Sequence, residues 1–311
     1  MTRELKALVL LTAMLTPLAC GAEKQEPKCS WDGVERVLAV GDVHGDCDQF
    51  VKLLRAGGVV NERNAWIGGK THMVQVGDVL DRGPDSKKAM DLLRRLEKEA
   101  EKAGGRVHAL VGNHEAMVAS GYLTYMRRDE LAALGGEDGI RKSFGPGGEY
   151  RTWLQSHNAV VRINNMLFVH GGIGPAYADE PIEKINKEVR TELAGGKADA
   201  GGILMAPDGP LWYRGYAHTN DAELEEDLEV VFKSFKVRHV IVGHTVSKAG
   251  IQTRCGGGAI MIDVGFSRTY VGGHPACLLI EKGKFFVVTP EGKRELPVRA
   301  SPAPEAVGAT R

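Results

Sequence analysis

An α/β fold built on a parallel sheet is what this sequence predicts, and three copies of one local pattern predict it. Val37-Leu38-Ala39-Val40 runs into Gly41-Asp42-Val43-His44-Gly45. Met73-Val74-Gln75-Val76 runs into Gly77-Asp78-Val79-Leu80-Asp81-Arg82-Gly83, and Val107-His108-Ala109-Leu110-Val111 into Gly112-Asn113-His114-Glu115. Each is an apolar run of buried-strand length that stops at a glycine followed at once by oxygen or nitrogen donors. The stretches between them have helical periodicity, so strand–helix–strand–helix–strand order implies right-handed crossovers. Ligands of such sheets gather at the carboxyl ends of the strands, where Asp, His and Asn together describe a metal site.

Asp46 or Asp48 can cap the first helix, which carries Phe50, Val51, Leu53 and Leu54 and stops near Gly57-Gly58. Asp85 or Ser86 can cap the second, whose apolar face is Ala89, Leu92, Leu93, Leu96 and Ala100. Residues 116–157 are less regular and read as helices and loops lying over the site, where Tyr122 and Tyr125 can shape specificity. Val160–Ile163 and Met166–Val169 flank Asn164-Asn165, a hairpin signal, and the second strand runs into His170-Gly171-Gly172. A helical excursion ends in an acidic helix from Asp221 to Phe235 over a stripe of Leu224, Leu228, Val231 and Phe235. His239–Val242 then meets Gly243-His244-Thr245, and the short strands after it suggest an antiparallel sheet to about residue 290.

Forty lysines and arginines against forty acids give no field for a nucleic acid or a membrane surface. The 43% hydrophobic content is enough for a substantial core in 311 residues. Arg3 and Lys6 precede an apolar stretch from Ala7 to Leu15 and small residues around Ala19, which reads as a secretory signal over 1–21. Leu18-Ala19-Cys20-Gly21 resembles a bacterial lipoprotein cleavage site, so Cys20 is the expected lipid tether and the periplasm or its membrane the expected location. Residues 22–33 suit a linker, 34–296 one domain, and the Pro- and Ala-rich 297–311 a disordered tail. Cys29, Cys47, Cys255 and Cys277 then remain, an even number with no CxxC spacing, and their pairing is open.

Five strand-end motifs thus supply Asp42, His44, Asp78, Asn113, His170 and His244. Mixed imidazole and oxygen donors suit manganese, iron or zinc better than calcium. Six ligands exceed one tetrahedral site, so two divalent ions sharing a carboxylate are expected, with a hydroxide between them as the natural nucleophile. His72, His108, His157, His218, His239 and His274 read as structural or exposed, and Trp212 and Tyr213 as packing under the lid.

GDVHG, GDVLDRG, GNHE, a later HGG and a later GH, in this order, resemble the calcineurin-like metallophosphoesterases, and their phosphoprotein phosphatase branch most. The resemblance covers residues 36 to 270 and implies a sandwich of two mixed β-sheets flanked by helices, with a helical and loop lid. It implies that Asp42, His44 and Asp78 hold one metal, and that Asp78 bridges to a second held by Asn113, His170 and His244. It further implies that His114 protonates the leaving group, that Asp81 orients His114, and that Arg82 and Arg214 grip the phosphate. Val111 stands where the eukaryotic enzymes have arginine, and Pro210–Gly215 and Ile262–Ser267 look instead like the bacterial Shewanella-like protein phosphatases. The implied activity is hydrolysis of phosphoserine, phosphothreonine or phosphotyrosine in proteins, or of small phosphomonoesters. A diadenosine tetraphosphate hydrolase or other phosphodiesterase is the alternative within the superfamily, and a metal cage without chemistry the alternative outside it.

Overall fold

The computed structural model describes residues 26–195 and 201–298. The signal segment with Cys20 and the tail from residue 299 lie outside the described residues. In chain order the strands are β1 (Ser30–Trp31), β2 (Arg36–Val40), β3 (His72–Gln75), β4 (Arg106–Ala109), β5 (Val160–Ile163) and β6 (Met166–Val169). They continue as β7 (His239–Val242), β8 (Gln252–Arg254), β9 (Ala259–Met261), β10 (Cys277–Glu281), β11 (Lys284–Thr289) and β12 (Gly292–Glu295). The helices are α1 (Cys47–Ala56), α2 (Ser86–Lys102), α3 (Asn113–Ala119), α4 (Arg128–Ala133) and α5 (Gly136–Phe144). They end with α6 (Glu149–Leu154), α7 (Ile182–Gly195), α8 (Gly215–His218) and α9 (Asp221–Phe235).

Two six-stranded mixed sheets result, one ordered β12-β11-β10-β2-β3-β4 and the other β1-β5-β6-β7-β9-β8. In the first, β2, β3 and β4 run parallel with Val37 opposite His72 and Met73 opposite Val107. In the second, β6, β7 and β9 run parallel. Parallel neighbours need crossovers, and α1 and α2 supply them in the first sheet. Asp46 caps α1, its carboxylate accepting from Gln49 N–H at 3.2 Å. The apolar stripe of α2, from Ala89 to Ala100, is buried, as are Leu224, Leu228, Val231 and Phe235 of α9. Three parallel strands of each sheet therefore end in loops at one rim of the sandwich.

The structure revises three expectations. The stretch 22–33 is not all linker: Ser30 and Trp31 pair with Arg162 and Ile163 as an edge strand, and Cys29 is buried. A two-residue strand carries no periodicity, so nothing in the local pattern marked it. The late strands form no sheet of their own, because Leu278–Glu281 pair antiparallel with β2 and extend the first sheet. The packing also runs on past 296, since Val298 lies against Gly257 and the core. All four described cysteines are free thiols.

Candidate active site

The rim loops are built on strained backbone. Ten described non-glycine residues have left-handed φ, and five of them are His44 (44°), Asp78 (57°), Asp81 (68°), Arg82 (67°) and His244 (65°). Such conformations cost non-glycine residues energy and persist where surroundings over-determine them. Around Asp78 the surrounding group is Glu115. Fully buried, its carboxylate accepts from the N–H groups of Asp78 (2.8 Å), Val79 (2.9 Å), Leu80 (3.1 Å) and Gly112 (2.9 Å). The loops after β2 and β3 are zipped together as well: Val43 and His44 N–H donate to the Asp78 carbonyl and Gly45 N–H to that of Val79. Gly45, at φ 63°, has the Gly83 backbone 2.5 Å from where a Cβ would stand, so no side chain fits there.

These loops bring all six expected strand-end residues into one buried cluster. The Asp78 carboxylate lies at its centre, 3.8 Å from His44 Nε2, 3.7 Å from His114 Nε2 and 3.3 Å from His170 Nε2. His44 Nε2 is also 3.9 Å from Asp42 Oδ2, and His170 Nε2 is 2.8 Å from Asn113 Oδ1. His244 packs its ring on that of His170 at 4.8 Å, and its N–H donates to both Asp42 oxygens at 3.1 Å. His44, Asp78 and His114 form one set of donors within 4.8 Å of one another, and Asp78, His170 and His244 a second.

The chemistry of the donors fits cations between them. His44 Nδ1 faces the Leu80 carbonyl at 3.1 Å and His170 Nδ1 the Val76 carbonyl at 3.0 Å. With Nδ1 turned to a backbone carbonyl, each ring directs its Nε2 toward the carboxylate and amide oxygens of the cluster. Burial pushes His44 down to about 3 and His244 to about 2, so both rings are neutral at ordinary pH. Burial raises Asp42, and the neighbouring Asp263 and Asp78 raise it further. Burial works the same way on Asp78, but the neighbouring His170 and His114 outweigh it and hold that carboxyl well below its usual range. Imidazole nitrogens and carboxylate and amide oxygens converging at such distances are the donor set that divalent cations take.

Beside this cluster His114 Nδ1 donates to Asp81 Oδ2 at 2.6 Å. Burial disfavours its charged form, yet Asp78 and Asp81 prevail and keep His114 above its ordinary value. Arg82 lies over the rings of Tyr125 (4.7 Å) and Tyr270 (4.0 Å), with a guanidinium nitrogen 3.5 Å from His114 Nε2. Arg214 is exposed and donates to the His244 carbonyl (3.1 Å) and to Thr245 Oγ1 (3.0 Å). These two arginines face a cleft of about 280 Å³ with His44, Asp78, Asn113 and His114 on its floor. Trp212 lines the cleft as well as packing below it, its carbonyl 3.2 Å from His244 Nε2.

A family profile described as calcineurin-like phosphoesterase matches residues 35–248. The chain belongs to that family. Among curated relatives of this phosphoesterase, Shewanella-like protein phosphatase 2 of Arabidopsis thaliana is 31% identical over 80% of this chain and 75% of its own. Shewanella-like protein phosphatase 1 of Plasmodium berghei is 30% identical over 76% and 68%. Among solved structures, a mutant of a cold-active protein tyrosine phosphatase superposes with a TM-score of 0.78 at 30% identity, covering 88% of this chain and 83% of that one. The family, these relatives and the His/Asp cluster together make the chain a metal-dependent phosphatase.

Two buried carboxylates of the phosphoesterase site were not singled out from the sequence. Glu115 belongs to the GNHE motif, which was the available signal, but its work is on backbone rather than on ligand. Asp263, in the loop after β9, is buried with Oδ2 unpartnered and sits close enough to Asp42 to raise it. Among the histidines read as structural, His72 and His108 bond to each other at 3.1 Å away from the cleft, and His218 and His274 are exposed.

Proposed function

We propose that this phosphatase removes phosphate from protein side chains, phosphotyrosine included, with two divalent transition metals. The observation that carries the reading is the juxtaposition at the Asp78 cluster: an Asp81–His114 pair at 2.6 Å and the Arg82 guanidinium 3.5 Å from the other His114 nitrogen. Asp42, His44 and Asp78 would hold one ion, and Asp78, Asn113, His170 and His244 the other. Bound there, the ions supply Lewis-acid polarisation of the phosphoryl group and an activated water as nucleophile.

The chain's own residues do the rest. Arg82, held between two tyrosine rings, offers its planar fork to two phosphoryl oxygens. Arg214 lines the same cleft and offers a second guanidinium. His114 carries a proton at Nε2 and gives it to the departing oxygen, while Asp81 fixes the ring through Nδ1. Protonation also explains why His114, though within 3.7 Å of Asp78, is assigned proton transfer and not metal binding, since an imidazolium has no lone pair to offer.

Assays on phosphoserine, phosphothreonine and phosphotyrosine peptides, beside diadenosine tetraphosphate, test the reading. Release of inorganic phosphate from peptides supports it, and nucleotide release from the dinucleotide in its place sinks it. The dinucleotide arm is included because a symmetrical bis(5'-nucleosyl)-tetraphosphatase of Nitrosomonas europaea is 28% identical over half of this chain. Manganese, iron and zinc each fit the donor set, and metal analysis of the purified enzyme chooses among them. The secretory pattern expected over residues 1–21, with Cys20 at its end, supports a site of action outside the cytoplasm. Cys20→Ser should release the protein from membrane fractions, and unchanged membrane association would remove the tether.

A further inference from the structure

The opening of the lid, residues 122–130, grips the Asp81-Arg82 dipeptide by its backbone. Arg82 N–H donates to the Tyr125 carbonyl at 3.1 Å, and Asp81 N–H to Glu130 Oε1 at 2.8 Å. The Ser86 hydroxyl, in the first turn of α2, donates to the same oxygen, and Arg127 N–H reaches Oε2 at 3.4 Å. Glu130 is 0% exposed. Packing α4 against its neighbours needs only an apolar residue, and a buried carboxylate is costly, so its use lies in the donors it collects.

What depends on that grip is visible at Asp81. Its Oδ2 meets His114, but its Oδ1 is buried without a partner, so no second side-chain contact aims the carboxylate. Direction must come from the backbone, and that backbone stands at a left-handed φ of 68°, which a free aspartate seldom adopts. We propose that Glu130 is a positioning residue for proton transfer, fixing the Asp81 backbone so that Oδ2 is delivered to His114. The inference rests on the reading of His114 as proton donor to the leaving group.

The two are separable by leaving group. Para-nitrophenolate departs without a proton, whereas phenolate is a much poorer leaving group and needs one. In the metal-loaded enzyme, Glu130→Ala and Glu130→Asp should lower kcat on phenyl phosphate about tenfold or more, part of the roughly 10²- to 10⁴-fold that general acid catalysis supplies. On para-nitrophenyl phosphate the loss should stay below about threefold, with KM and metal content unchanged. Glu130→Gln keeps an oxygen acceptor for Asp81 N–H and should restore both rates; if Glu130→Ala does not fold, the Asp and Gln variants alone decide. Equal losses on the two substrates, no loss at all, or a Gln variant no better than Asp would overturn the proposal. His114→Asn is measured alongside. If it shows the leaving-group dependence and the Glu130 variants do not, the positioning role alone fails. If His114→Asn lacks it, the proton-donor reading fails and the role of Glu130 with it.

Discussion

Single residues at this site divide into those that face the cleft and those that hold the facing ones still. His114→Asn keeps an amide near the cleft but cannot carry a proton, so turnover should fall about 10²- to 10⁴-fold with metal content unchanged. Loss of bound metal in that variant would instead make His114 a ligand. Glu115→Ala leaves the N–H groups of Asp78, Val79, Leu80 and Gly112 without their acceptor, at about 1–3 kcal/mol for each that water cannot reach. A fall in melting temperature of several degrees, with loss of metal, is expected; an unchanged melting curve would remove Glu115 from the frame. Glu130 gives a pH test. Burial raises it from 4.5 to about 7, with Asp81 adding to the rise and Ser86 opposing it. Below 4.5 both folded and unfolded chains hold the proton and nothing is lost. Between 4.5 and about 7 only the folded chain keeps it, so stability drains away with rising pH, and above 7 the full cost, on the order of 3 kcal/mol, is present. Glu130→Gln should therefore melt higher than the parent at pH 8 and alongside it at pH 4, as read by calorimetry. Equal melting at both values would count against a strained buried carboxylate.

At the scale of elements, what was legible in the sequence was what periodicity writes locally. The strands ending at Val40, Gln75 and Val242 and the stripes of α2 and α9 each carry their own pattern, and the structure has them. What was not legible depends on partners far along the chain. β1 exists because Arg162 and Ile163 offer it an edge, and β10 joins the first sheet through Val37 to Ala39. The lid is the same kind of feature. Its helix α5 is tied to α3 and α7 by the buried Arg151, which donates to the carbonyls of Ala119 (2.8 Å), Phe144 (3.1 Å) and Leu193 (2.6 Å). Removing it leaves three helix-end carbonyls unsatisfied. Arg151→Met should cost about 1–3 kcal/mol for each carbonyl that water cannot reach, as measured by urea unfolding. A loss under about 1 kcal/mol would show that water or neighbours replace it.

Over the whole molecule, two sheets meet so that loops after β2, β3 and β4 face loops after β6, β7 and β9 across one rim. The six strand-end residues could be named from the sequence because each motif announces itself within a few positions. Their convergence could not be read from any one motif, since Asp42 and His244 meet across 202 positions through packing of the two sheets. Metal should therefore stabilise the assembly, because ions bound only by the folded rim shift the folding equilibrium by mass action. The most direct measurement is metal stoichiometry by mass spectrometry on the parent, Asp78→Asn and His114→Asn, each paired with its phosphatase rate. Two ions per chain and activity in the parent, loss of both in Asp78→Asn, and two ions without activity in His114→Asn are expected. A parent chain that takes up no transition metal, or an Asp78→Asn variant that keeps its metal and its rate, would contradict a shared carboxylate at the heart of the site.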